Sequence, residues 1–433
     1  MEADARPDGR EEELSDTVYA LSSGAPPAAI AVIRISGPRA DAAVEALAGS
    51  LPEPRRATLA ALRANDEVLD NALIIRFPGP HSATGEDVAE LHLHGGRSVV
   101  AAVRAALGAM AGLREAEPGE FTRRAFENGR IDLAEAEGLA DLLEAETESQ
   151  RRAALALAGG ALSRRVESWQ AGILALAAEV EAALDFSDED DVVPLAADFP
   201  ARLEALREEL ASWLARPPAE RLKDGVRIVI AGPPNAGKSS LLNALAGREA
   251  AITAATPGTT RDLVEAPVAI AGAPFLLVDT AGLRESADEI EAIGVGRAQA
   301  SIAAADIVLW LGDPAGAPER AILVHAKADL APPPGAADVA VSAKTGLGLG
   351  ALVRMLIHRS DSLLPAPGEV ALNRRHLAAL QHAVDALSDP HSDDLLILAE
   401  SLRRARRALD GISGRAGVED MLDALFGRFC IGK

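Results

Sequence analysis

The chain has 433 residues, with 43 Lys plus Arg against 65 Asp plus Glu for a formal charge of −22, and 48% of it is hydrophobic. That length makes about two to four domains, each able to bury a core, while the acidic balance excludes a protein that coats nucleic-acid phosphates unaided, since that needs clustered Lys and Arg. The single cysteine, Cys430, excludes a disulfide framework and fits a reducing compartment. No apolar run approaches the roughly 18–20 residues of a membrane span, and Met1 to Glu13 lacks the apolar core of a secretory signal, so a soluble, cytoplasmic protein with no membrane role is expected.

Residues 1 to 16 have no apolar periodicity and read as a tail. From Thr17 onward, strand-like runs such as Ile30 to Ile35 and Ala72 to Phe77 alternate with Ala-rich helical stretches such as Ser98 to Met110. This pattern predicts an α+β domain over residues 1–128. Leu133, Ala136, Leu139, Leu142 and Leu143 then recur at helical intervals, and a similar stripe returns in Ile173 to Leu184, so residues 129–222 are predicted as one part of a helical bundle. Arg216-Pro217-Pro218 marks a break. Val226 to Ile230 is a buried-strand pattern, and the strands Phe275 to Val278, Ile307 to Leu311 and Ile322 to His325 alternate with helices to give a doubly wound α/β domain over 223–365. After a second break at Pro365-Ala366-Pro367-Gly368 the stretch His376 to Phe429 is helical again. Residues 366–433 therefore supply the second part of the bundle, into which the α/β domain is inserted.

Gly232-Pro233-Pro234-Asn235-Ala236-Gly237-Lys238-Ser239 matches GxxxxGK[ST] between a strand and a helix. Its glycines let backbone N–H groups and a helix N-terminus wrap a triphosphate, with Lys238 reaching the β and γ phosphates and Ser239 ligating Mg2+; Ser240 follows it into the helix. Downstream, Asp279-Thr280-Ala281-Gly282 follows a strand, where the Asp can hold Mg2+ through water and the Gly amide can meet the γ-phosphate. Between the two motifs lies Thr256-Pro257-Gly258-Thr259-Thr260, where such proteins keep a switch loop with a Mg2+-ligating Thr. In Ala326-Lys327-Ala328-Asp329, Asp329 can accept from the guanine ring N–H and amino groups, which adenine does not offer in that pattern, and Ser342-Ala343-Lys344 completes a base pocket. Together these predict GTP as the nucleotide. Ala326 stands where an Asn is usual, which removes a tie between base loop and phosphate loop.

The residue after the Asp-Thr-Ala-Gly run is Leu283, where Ras-like proteins use a Gln to orient the attacking water. Glu291 is the acidic candidate for that task, with Glu285, Asp288 and Glu289 as rivals. No arginine finger is evident. Asn235 offers a side-chain carbonyl where a monovalent cation can stand in for one.

These motifs resemble the MnmE (TrmE) tRNA-modification GTPases. The resemblance is carried by Ala31 to Gly37, Phe77-Pro78-Gly79-Pro80, Thr84 to Val88, His92 to Gly96, Pro118 to Phe126, Pro234 to Asn243 and Phe429-Cys430-Ile431-Gly432-Lys433. It implies an N-terminal α+β folate-binding domain that forms a homodimer, an α-helical bundle, and an inserted α/β P-loop GTPase (Ras-like) domain. It also implies 5,10-methylene- or 5-formyl-tetrahydrofolate as one-carbon donor and an FAD-binding partner of the MnmG type, in an α2β2 complex that modifies C5 of the wobble uridine of certain tRNAs. Carried onto matching positions, the resemblance makes Asn235, Ala254, Thr256 and Thr259 the K+ contacts, and Ala255, Pro257 and Gly258 part of the same nucleotide loop. Ser239 and Thr260 become the Mg2+ ligands, Glu291 the residue that orients water, and Arg34, Glu90, Arg130 and Lys433 the folate contacts. In chemical terms a carboxylate such as Glu90 suits the amide-like edge of a pteridine, and Arg34, Arg130 and Lys433 suit the glutamate tail.

Other features carry less. His92 and His94 share a strand face but lack a third metal ligand, Asp188 to Asp191 reads as a solvated acidic cluster, and nothing flanking Cys430 marks a reactive thiol. Two rival functions stand beside the leading one. A ribosome-assembly GTPase requires a basic RNA-binding module, which neither flank supplies, and a switch without one-carbon chemistry leaves Arg34 and Lys433 without a ligand.

Overall fold

A computed structural model describes residues 16–185, 195–248, 250–251, 265–280, 299–333, 335–366, 368–388 and 394–415, together with 422, 425–427, 429 and 432. The chain divides into two compact units, residues 1–140 with 413–433, and residues 141–412.

In the first unit, β1 (Thr17–Leu21), β2 (Ile30–Ser36), α1 (Ala40–Ala48), β3 (Thr58–Ala64), β4 (Glu67–Phe77), β5 (Val88–His94), α2 (Arg97–Gly108), β6 (Leu113–Glu115) and α3 (Glu120–Glu127) follow in order. The strands form one sheet, β3-β4-β5-β2-β1-β6, antiparallel throughout except for β1 with β6. Period-two alternation decides the faces. Ile33, Ile35, Leu62, Ile74, Leu91 and Leu93 pack with Val44, Leu47, Val103 and Leu107 of α1 and α2 to form the core. The alternate residues present the other face, where the register aligns Arg34 with Glu90, Val32 with His92 and Leu73 with both His92 and Leu59. At its β1 end that face carries Phe121 of α3, packed with Val18 and Ala20. Toward β3 it stays open, with Leu59 and Leu73 exposed. The first turns of α4 (Leu133–Glu144) join this unit through Leu133 and Ala136, which pack with Phe426 and Phe429.

The second unit contains α5 (Glu148–Ala158), α6 (Ala161–Asp185), α7 (Phe199–Leu214) and α8 (Ala219–Asp224). Next come β7 (Val226–Ala231), α9 (Lys238–Arg248), β8 (Ala250–Ala251), β9 (Glu265–Ile270), β10 (Ala273–Asp279), β11 (Ile307–Trp310), β12 (Ile322–His325), β13 (Val339–Ala340) and α10 (Leu349–Ser360), and last α11 (Arg374–Ser388) and α12 (Leu395–Ser413). The sheet order is β13-β12-β11-β7-β10-β9-β8, parallel from β13 to β10 and antiparallel beyond. Ile228, Ile230, Leu277, Leu309 and Val324 are buried together with Leu241, Leu245, Leu352 and Leu356, as a parallel sheet covered by helices requires.

Insertion is visible in the backbone. Ala219 N donates to Leu372 O at 2.9 Å, so the chain leaves for the sheet and returns from it at one place. The flanking helices meet there too: α7 packs on α11, and Gln170 of α6 donates to Asp410 of α12 at 2.8 Å. One connection departs from expectation. Between β11 and β12 only the 3-10 turn Pro314–Gly316 intervenes, where a parallel crossover ordinarily carries a helix. A cavity of about 490 Å3 lined by Ala236, Leu311, Asp313 and Ala326 lies beside it. No helix among the described residues is long and apolar enough to cross a membrane.

Candidate functional site

β7 is flanked by β10 on one side and β11 on the other, so the loop that follows it opens at the point where strand order reverses, the usual ligand crevice of an open α/β sheet. The glycine at its start is demanded by geometry: Gly232 has φ +147°, and a Cβ there would lie 3.0 Å from the Leu311 carbonyl carbon. Asn235 and Gly237 also adopt positive φ, 61° and 98°, which curls the loop around the buried Lys238. Lys238 Nζ donates to the carbonyls of Gly232 at 3.1 Å and Pro233 at 2.9 Å. Phosphate oxygens are stronger acceptors than these carbonyls and sit where the N-terminus of α9 favours negative charge.

Ser239 Oγ donates to Asp279 Oδ2 at 2.5 Å, which joins the phosphate loop to the end of β10. A hydroxyl and a carboxylate side by side are hard oxygen donors suited to Mg2+. Thr280 is anchored through Oγ1 to Ile230 O at 3.0 Å, so this corner is rigid and buried.

The base side is assembled from two loops. Lys327, at φ 59°, donates from Nζ to Asn235 O at 2.7 Å and lies across the phosphate loop. Ala326 packs there as well, its Cβ 3.6 Å from where a Cβ on Gly237 would stand. Ala328 N donates to Val341 O at 3.0 Å, which brings Asp329 beside the fully buried Ser342. A hydrogen bond from the Ser342 hydroxyl, then the Asp329 backbone amide and the charge of Lys344, hold the Asp329 carboxyl below the usual carboxylate range. It is therefore an ionised acceptor, the form that meets paired N–H donors of a guanine. Ala343 lies between Ser342 and Lys344 in the same loop. Ala254, Ala255, Thr256, Pro257, Gly258, Thr259, Thr260, Ala281, Gly282, Glu291 and Lys433 lie outside the described residues.

In the first unit, Arg34 and Glu90 are brought into direct contact: Arg34 Nε and Nη2 donate to Glu90 Oε1 at 3.2 and 2.9 Å, and the guanidinium lies 5.7 Å from the centre of the Phe121 ring. Arg130 stands apart from that pair, donating from Nε to Ser82 O at 3.2 Å. Its loop is fastened by Arg124, 2% exposed, which pairs with Glu86 at 3.1 Å, Asp16 at 2.7 Å and Glu120 at 2.9 Å, while Ser36 Oγ donates to Glu86 at 2.7 Å. Burial pushes the Glu120 carboxyl up, but hydrogen bonds from Arg114, the Glu117 amide and Arg124 outweigh it and leave the group below its ordinary value. Gly432, at φ +99°, lies against Leu21 and Ser22 at the end of β1, and Leu21 pairs with Ile33, the neighbour of Arg34.

Sequence reasoning set His92 aside as an incomplete metal site. In the fold its Nε2 lies 3.3 Å from Glu90 Oε2, a contact legible in the two-residue spacing that puts both on one strand face. Phe121 beneath Arg34 left no such signal, because α3 is remote in sequence from β2.

Comparison with known proteins places the chain in a family. A family model described as the GTP-binding protein TrmE N-terminus matches residues 17–130, and one described as the MnmE helical domain matches 133–430. A protein of Rhizorhabdus wittichii named tRNA modification GTPase MnmE is 61% identical over 97% of both chains. Proteins of the same name from Erythrobacter litoralis and Novosphingobium aromaticivorans are 58% and 57% identical over 96% and 97% of this chain and the whole of their own. Matched by family models over residues 17–130 and 133–430 and by relatives along almost its entire length, the chain belongs to the MnmE family of tRNA modification GTPases.

Proposed function

We propose that this protein is a GTP hydrolase of tRNA modification, in which GTP turnover in the inserted α/β domain drives a conformational cycle serving C5 modification of the wobble uridine. The observation that carries the reading is the convergence of Lys238, the Ser239–Asp279 pair and the Ser342-held carboxylate of Asp329 around one crevice. Lys238 and the amides of the loop would bind the phosphates, Ser239, Asp279 and Thr260 would hold Mg2+, and Asp329 would select guanine. When bound, Mg2+ neutralises charge that develops on the phosphates. The Asp-Thr-Ala-Gly run would supply its Gly282 amide to the γ-phosphate, and Glu291 would orient the attacking water. Asn235, exposed at the loop tip, joins Ala254, Thr256 and Thr259 in holding K+, which takes the place of an arginine finger.

The remaining parts of the proposal follow from the family. The first unit binds a tetrahydrofolate derivative through Arg34, Glu90, Arg130 and Lys433, and its open sheet face, with Leu59 and Leu73 exposed, suits a homodimer. An FAD protein of the MnmG type completes the α2β2 complex. GTP hydrolysis measured in KCl and in NaCl at equal ionic strength tests the cation assignment. Turnover severalfold faster in K+ is expected, and equal rates in the two salts refute it.

A further inference from the structure

The carboxylate of Glu90 is held on both of its oxygens. Oε1 accepts twice from Arg34, at 3.2 and 2.9 Å, and Oε2 lies 3.3 Å from His92 Nε2. With the carboxylate as acceptor, the His92 tautomer that satisfies this contact is the one that donates from Nε2. The arrangement follows from the sheet: Arg34 faces Glu90 across the β2–β5 ladder, and His92 is the next residue on the same face of β5. All three side chains are mostly covered, at 25%, 17% and 27% exposure, so the geometry is not that of freely rotating surface groups. Among the described residues, Oε1 has its two acceptor directions filled by Arg34, whereas Oε2 has one filled by His92 and one left open.

We propose that His92 is a positioning residue for ligand recognition: by holding Oε2 it turns the free acceptor direction of Glu90 outward, toward the N–H edge of a flat heterocycle such as a reduced pteridine. His92 is flanked across the strands by Val32 and Leu73, which give the ring an apolar surface beside the carboxylate. Without His92, Oε2 loses the contact that fixes its direction while Oε1 stays bonded to Arg34, so a ligand must orient that oxygen on binding. This inference rests on the folate reading of the Arg34–Glu90 pair and adds to it the residue that orients the carboxylate.

The test is calorimetric titration of 5-formyl-tetrahydrofolate into the full-length protein and its His92→Gln and His92→Leu variants, with thermal melting of each as a check on folding. Gln keeps an N–H donor at comparable reach, and Leu removes it. His92→Leu is expected to bind about ten- to a hundredfold more weakly, the loss associated with one hydrogen bond to a charged group, and His92→Gln within a few fold of the parent. Parental affinity in His92→Leu overturns the proposal, as does equal weakening in both variants with unchanged melting, which assigns the effect to ring packing. Absence of binding by the parent protein instead defeats the folate reading itself. If His92→Leu alone melts early, His92→Phe, which keeps a ring without the donor, takes its place: weakened binding beside retained binding in His92→Gln supports the proposal, and parental affinity in His92→Phe overturns it.

Discussion

In the proposed nucleotide site, Asp329 concentrates the specificity in one carboxylate. Ser342 and Lys344 keep it ionised, and its two oxygens match the ring N–H and the amino group of guanine. Asp329→Asn replaces an acceptor with an acceptor and a donor, so the variant should lose GTP affinity on the order of a hundredfold or more and gain xanthosine triphosphate, whose C2 oxygen accepts. Competition binding with both nucleotides measures the exchange, and unchanged GTP affinity removes Asp329 from the base site. Asp329 was legible in the sequence as a candidate, because the motif has a fixed spacing after a strand. The sequence left unread how the site manages with Ala326: Lys327 itself ties the base loop to the phosphate loop through Asn235 O, a contact spanning 92 residues.

Elements with strong periodicity were legible, and those made by pairing were not. Ile30 to Ile35 and Ile322 to His325 read as strands from their apolar runs and are β2 and β12. β6 has three residues and exists because it pairs with β1 in parallel, which no local pattern announces. The helical reading of His376 to Phe429 resolves into α11, α12 and a C-terminal segment whose Phe426 and Phe429 pack with Leu133 and Ala136, tertiary contacts that periodicity does not specify. At this scale α3 is held by ions as much as by its apolar face. Glu120, kept below its ordinary carboxylate value by Arg114 and Arg124, contributes stability that is present above its unfolded value near pH 4.3 and is lost as pH falls through the folded value. Glu120→Gln should therefore lower the urea midpoint at pH 7 and flatten its dependence on acid between about pH 5 and pH 3. Parallel curves for parent and variant contradict the assignment.

Over the whole molecule, the charge of −22 and a role in tRNA modification are compatible if a partner supplies most of the basic surface. Alone, the protein should bind tRNA weakly, and that binding should vanish as salt rises through the physiological range, which filter binding across a salt series measures. Tight, salt-resistant binding by the isolated chain refutes this division of labour. In the proposed cycle, the exit and return of the chain at Ala219 and Leu372 would give nucleotide-driven motion one place to act on the helices around it. The most direct test of the central claim is mass spectrometry of wobble uridines in tRNA from a strain lacking this protein, complemented with the parent chain or with Lys238→Ala. The account predicts that the C5-modified uridine disappears, returns with the parent chain and stays absent with Lys238→Ala. Full modification in the strain lacking the protein contradicts it.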